Sequence, residues 1–162
     1  MSAVAIERSL FVAAPVSRVW EVVSAVDEYH RHTATLARTV VVSGAGKGAV
    51  RHCVDSSGKG WYETCTHWQW EREFGFEVDV TTYPLAYRAL FRSFRGEWRV
   101  DPIDGGAVVT VRFDADLRRF PGASTLAANL TRRAQSELES ILQSYRMAVK
   151  GVASSNGEEG LA

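Results

Sequence analysis

Apolar positions in the last regular segment, residues 124–150, recur three and four apart: Leu126, Leu130, Leu138, Ile141, Leu142, Tyr145 and Val149, with Ala127 and Ala134 between them. That spacing predicts a helix with one apolar stripe, about 40 Å long at 1.5 Å per residue. Arg132, Arg133, Gln135, Glu137, Glu139, Gln143 and Arg146 take the other face, Pro121-Gly122 breaks the chain before it, Ser124 suits an N-cap and Gly151 a stop. Upstream the period falls to two. Val109, Val111, Phe113, Ala115 and Leu117 alternate with Thr110, Arg112, Asp114 and Asp116, as a strand with one buried face requires. Phe94, Gly96, Trp98 and Val100 alternate in the same way with Ser93, Arg95, Glu97 and Arg99, and the parity carries Leu90 and Arg92 to the apolar side.

The rest of the chain supplies the remaining strands. Residues 4–12 form a first strand with Ile6, Leu10 and Val12 on one face and Arg8 intruding among them. Ala14-Pro15 ends it, residues 16–23 make a short helix burying Val16, Val19, Trp20 and Val23, and residues 26–32 a second. Further strands are expected at 39–42, 49–54, 61–70, 74–80, 87–100 and 107–117. A hairpin turn at Ser57-Gly58 would set His52 opposite Glu63 and turn Cys53 and Cys65 to opposite faces. A helix this long needs a broad partner surface, so the fold class is α+β: a curved antiparallel sheet of seven strands with the helix lying across it. Residues 1–152 read as a single domain and 153–162, small and polar, as a disordered tail.

Composition narrows the function classes. At 162 residues and 46% hydrophobic, the chain is large enough for one real core. A net charge of zero without a block of five basic residues argues against nucleic acid or an anionic membrane as the main partner. No run of eighteen apolar residues and no leader pattern occurs, so membrane insertion is not expected and the location reads as cytoplasmic. Two cysteines are too few for a disulfide scaffold and read as free thiols. His30-x-His32 offers two metal ligands with no third at a recognisable spacing. Phosphate loop, dinucleotide fingerprint and nucleophile elbow are all missing, so neither metal nor cofactor is expected.

Five features occur in order: the strand ending Ala14-Pro15 followed by Val19-Trp20-Glu21-Val22, the Gly48-Ala49-Val50-Arg51 strand opening, Gly96-Glu97-Trp98-Arg99-Val100, the Gly105-Gly106 hairpin and the terminal helix. Together they resemble the START-like helix-grip superfamily, and within it the polyketide cyclase/dehydrase branch that includes the aromatase/cyclases. The resemblance implies a deep hydrophobic cavity between sheet and helix, a hydrophobic small molecule as partner, and an acyl carrier protein as a second partner to test. It also implies two classes of function: aldol ring closure and dehydration of a poly-ketone, or carriage of a lipid, quinone or similar metabolite without chemistry. In the aromatase/cyclases the strand matching 62–68 carries an inward arginine that anchors a ketone or enolate. Thr66, His67 and Trp68 stand there instead, so that role is not carried over. The inward positions map onto Tyr62, Thr64, Thr66 and Trp68, and Tyr29 joins them from the second short helix. Phe94, Trp98, Phe113 and Leu130 complete the expected lining. For catalysis the candidates are Arg92 as donor to a developing enolate, His32 as proton acceptor and Tyr62.

Overall fold

The computed structural model describes residues 2–158, with side chains for residues 3–151. Seven strands, β1 (Ser2–Val12), β2 (Leu36–Ser43), β3 (Val50–Asp55), β4 (Gly60–Gln69), β5 (Glu73–Val78), β6 (Phe91–Ile103) and β7 (Gly106–Leu117), form one antiparallel sheet ordered β1-β7-β6-β5-β4-β3-β2. Helix α1 (Val16–Val23) and a 3-10 turn (Tyr29–Arg31) link β1 to β2, a second 3-10 turn (Val80–Thr82) and helix α2 (Leu85–Leu90) link β5 to β6, and α3 (Ala123–Glu158) follows β7. Joining the first and last strands side by side places β1 and β7 under α3.

The apolar stripe of α3 does what its spacing requires, burying Leu138, Ile141, Leu142, Tyr145 and Val149 against the sheet and α1. Each such side chain contributes about 1.5–3 kcal/mol on leaving water. Leu126 and Leu130, on the same stripe, are only half-buried. Arg8, the intruder on the apolar face of β1, reaches Glu139 of α3 at 3.5 Å. A long side chain can lie along apolar surface and keep its charge at the edge.

Several expected boundaries move. The second short helix contracts to Tyr29–Arg31, and the strand expected from residue 87 begins at Phe91, with α2 before it. Helix α3 runs past Gly151 to Glu158; the end of the expected disordered tail, residues 159–162, lies outside the described residues. The change that matters most is one residue of register between β3 and β4. The pairs are Arg51 with Glu63, His52 with Tyr62 and Cys53 with Trp61, instead of His52 with Glu63. Asp55 accepts backbone N–H bonds from Ser57 and Lys59, and Gly58 at φ 86° closes a longer loop than a turn centred on Ser57-Gly58. A slip of one exchanges the two faces of a strand, so Arg51, Cys53, Trp61, Glu63 and Cys65 are buried while Tyr62, Thr64 and Thr66 are exposed. Both cysteines are therefore on the inner side, and both are free.

Candidate ligand cavity

Between the inner face of the sheet and the first part of α3 lies a cavity of about 210 Å³. Its walls are aromatic: Trp61 from β4, Phe76 from β5, Phe94 and Trp98 from β6, Phe113 from β7 and Tyr29 from the first 3-10 turn. The rings lock each other in place, with Trp98 edge-on to Tyr29 at 5.4 Å and to Phe113 at 6.0 Å, and Phe94 against Phe113 at 5.5 Å. Gly96 leaves room for this arrangement, since a Cβ there would meet the Trp98 ring at 2.6 Å. Tyr83 and Tyr87, flanking Pro84 in the β5–β6 connection, close one end, Tyr83 resting on Trp61 at 5.3 Å. No residue of α2 is buried, so this closure is a thin cover laid over the cavity.

The polar centre of the cavity is an ion pair. Arg51 is 2% exposed, and its Nε and Nη2 donate to one oxygen of Glu63, at 2.8 and 2.7 Å. The other oxygen of Glu63 accepts from Trp61 Nε1 at 2.8 Å. The guanidinium sits 3.9 Å from the centre of the Phe76 ring and 5.0 Å from that of Tyr29. Burial works against its charge, but Glu63, with Cys53 and Tyr29 acting in the same direction, offsets this and holds its pKa above the ordinary arginine value. Glu63 takes two of five guanidinium N–H groups and the Cys53 thiol lies against the same guanidinium, which leaves further N–H groups for a ligand oxygen. Two further carboxylates border the space. Asp55 Oδ1 accepts from Ser57 and Lys59 of its own turn, one oxygen of Glu137 on α3 accepts from the Thr33 and Thr35 hydroxyls, and the second oxygen of each carboxylate has no protein donor among the described residues. Burial pushes the Tyr29 and Tyr83 phenols up, so both remain neutral donors at physiological pH.

A family model described as polyketide cyclase / dehydrase and lipid transport matches residues 3–144. The chain belongs to this family. No curated protein matches the sequence significantly. Among solved structures, the di-domain aromatase/cyclase StfQ of the steffimycin biosynthetic pathway superposes with a TM-score of 0.72 at 17% identity, covering 94% of this chain. This chain spans about half, 52%, of that protein's length. The Zhui aromatase/cyclase of a Streptomyces species gives 0.70 at 16% identity, covering 91% of this chain and 94% of that one. A norcoclaurine synthase from Thalictrum flavum, solved with a transition-state analogue, gives 0.71 at 12% identity, covering 93% and 96%. At these identities the likeness is one of fold, and it agrees with the helix-grip architecture.

The residues expected from the sequence divide by strand. Tyr29, Phe94, Trp98 and Phe113 line the cavity. Tyr62, Thr64 and Thr66 are on the outer face, Tyr62 stacked on His52 at 4.7 Å. Trp68 returns to the inner side because a bulge between Cys65 and His67 resets the alternation, but it packs against Phe74 and Trp20, apart from the cavity. Leu130 borders a surface groove on α3. Arg92 is exposed, turned outward where the β6–β7 register shifts between Phe91 and Ser93. His32 lies behind the cavity wall, Nδ1 2.8 Å from Ser144 Oγ and its ring 4.5 Å from that of Tyr145. None of the three proposed catalytic side chains therefore reaches the cavity. The guanidinium that does is Arg51 of β3, one strand from Thr66, His67 and Trp68 of β4. Its signal was present in the sequence: pairing Arg51 with Glu63 puts opposite charges face to face and leaves the hydroxyls of Tyr62, Thr64 and Thr66 in water.

Proposed function

We propose that this protein binds a neutral, oxygenated aromatic or polyketide-like molecule in the cavity and promotes its aldol cyclisation and dehydration. The observation that carries this reading is the Arg51–Glu63 pair, buried, held rigid by Trp61 and opening onto an aromatic space. An engineered cavity of about 150 Å³ takes benzene, so about 210 Å³ admits a substituted ring or two fused ones. In such a dry site a fixed guanidinium donor stabilises the oxygen of a developing enolate. Glu137, with one oxygen uncommitted, takes the methylene proton; the enolate carbon attacks a second ketone, forming the C–C bond, and the proton returns to the resulting alkoxide. Removal of the remaining α-proton with expulsion of the new hydroxyl, together lost as water, then leaves a C=C bond in the closed ring.

A carrier without chemistry is the second reading, favoured by a specific observation: no histidine lines the cavity, and Asp55 and Glu63 already have partners. Both readings are tested with a poly-β-ketone thioester and a neutral naphthyl ketone. Arg51→Met alone would strand Glu63, at roughly 3–5 kcal/mol, so the informative variant is Arg51→Met with Glu63→Gln. It should keep the fold by circular dichroism and lose cyclisation by about a hundredfold or more, the scale of one oxyanion donor. Ketone binding by a wild type that never turns over the thioester would leave the carrier reading; a folded wild type that binds neither compound would reject both.

A further inference from the structure

A carboxylate that takes a proton inside a cavity must pass it on before it acts again, and the surroundings of Glu137 give that proton a route to water. Thr35 and Glu137 belong to two spaces at once. They line the aromatic cavity, and with Thr33, Arg133, Ser136 and Ser140 they also line a groove of about 300 Å³ between α3 and the segment before β2. That groove is polar and open: Thr35, Arg133, Ser136 and Ser140 are all exposed to solvent.

Three oxygens meet on the boundary between the two spaces. The Thr33 hydroxyl donates to Glu137 Oε1, the Thr35 hydroxyl donates to the same oxygen at 2.8 Å, and the two hydroxyl oxygens are 2.9 Å apart. The triangle is held in place. Thr33 is 7% exposed and accepts from the Thr35 N–H at 3.3 Å, while Ser56 fixes the chain between by donating to Ala34 O at 3.0 Å and to Thr35 O at 3.3 Å. Two hydroxyls own two protons, so with Glu137 as a carboxylate only two of the three edges are hydrogen-bonded at once. A proton on Oε1 supplies the missing donor, and every edge is then bonded. The triangle thus accommodates the form of Glu137 that proton abstraction leaves, on the side that faces water.

We propose that Thr33 and Thr35 form a proton relay between Glu137 and the outer groove, and that the protein therefore exchanges the α-hydrogens of a bound ketone with those of water. The inference rests on the reading of Glu137 as the base in a ketone-binding cavity and adds where its proton goes. Glu137 Oε2 takes an α-proton, and the electron pair of the broken C–H bond passes to the ketone oxygen beside Arg51, giving the enolate. A half-turn of the new carboxyl brings the protonated oxygen to the threonines. Its proton passes to Thr35 Oγ1 as Thr35 gives its own to a water in the groove, which restores the carboxylate. The reverse path carries a proton from water to the enolate carbon and regenerates the ketone with a hydrogen from solvent. Thr33 and Thr35 touch the base and not the substrate, and are positioning residues.

The test follows 2-acetylnaphthalene with a fully deuterated methyl group, incubated with the protein in ordinary water and read by mass spectrometry. Wild type should wash out deuterium at least about tenfold faster than buffer alone, and Glu137→Gln should return the rate to that of buffer. Thr33→Val with Thr35→Val should keep ketone affinity and lower the highest washout rate reached across pH by about tenfold or more, because the abstracted deuteron goes back to the carbon it left. Thr35→Val alone, at an exposed position, makes the same comparison where the double variant does not fold. Thr33→Ser with Thr35→Ser keeps both hydroxyls and should keep the wild-type rate. A folded valine variant whose highest rate equals that of wild type would overturn the relay, as would a serine variant no faster than the valine one. A wild type that cyclises the poly-β-ketone thioester yet retains all the deuterium of the ketone would overturn it too. Failure to bind the ketone, or binding with neither washout nor cyclisation, would instead overturn the reading of the cavity beneath it.

Discussion

A guanidinium shielded from water by Phe76, Tyr29 and Trp98 is stable only because Glu63 and the surrounding rings replace its hydration. A buried ion pair of this kind is weak evidence for stability, and its placement at a cavity wall is better explained by what it presents to a ligand. His32 illustrates the opposite case, a titratable residue whose role is in folding. Burial holds its pKa below the ordinary value of 6.5, against the pull of Glu28, so the folded protein binds fewer protons than the unfolded chain as that range is approached. The stability it contributes is therefore present above pH about 6.5 and is lost as pH falls through the lowered value. The melting temperature should drop between pH 7.5 and pH 5, and His32→Gln, which can still bond Ser144, should flatten that drop. Equal pH dependence in variant and wild type would show that His32 does not set it.

At the scale of elements, α3 and the β3–β4 hairpin differ in how firmly their local pattern binds them. The stripe on α3 is long and one-sided, and Leu138 and Leu142 end almost wholly buried. Leu138→Asp and Leu142→Asp should each destabilise by at least the roughly 2–5 kcal/mol of a buried Leu→Ala change, because the cavity cost is joined by that of an unpaired charge. Arg132→Asp on the exposed face should change denaturant stability by no more than about 0.5 kcal/mol. Unfolding curves that fail to separate the two leucine variants from Arg132→Asp would contradict the packing of α3. The hairpin is less determined. Either face of β4 reads as half-buried, Trp61, Glu63 and Cys65 on one side and Tyr62, Thr64 and Thr66 on the other, so alternation alone does not say which is inside. The loop geometry around Asp55 and Gly58 settles it.

For the molecule as a whole, the aromatic residues of the inner face serve two purposes. Trp98 is shared: it lines the cavity and stacks on Phe74 at 5.2 Å, while Trp68, Trp20 and Phe74 form a packed cluster away from it. A neutral dialkylamino-naphthyl ketone dye should bind the folded protein with low-micromolar affinity, roughly −8 kcal/mol. Trp98→Ala should weaken that binding, and Trp68→Ala should lower stability with little effect on affinity. Loss of dye binding in Trp68→Ala, with Trp98→Ala unaffected, would place the ligand at the other end of the sheet. No described helix is long and apolar enough to cross a membrane.

What the sequence determined by itself was the part encoded in repeating local patterns: the long helix, seven strands in their order, and the inner faces of β6 and β7, where each polar or apolar position reinforces the next. Phe94, Trp98 and Phe113 were legible as lining residues for that reason. The tertiary structure decided everything that depends on a single residue of register or on a bulge. Glu63 came inside to meet Arg51 and Tyr62 went out by one slip, and Arg92 turned to solvent at one irregularity. The physical reason is that a strand's period is two. One residue more or less in a loop leaves the strand itself unchanged and exchanges which chemistry faces the ligand.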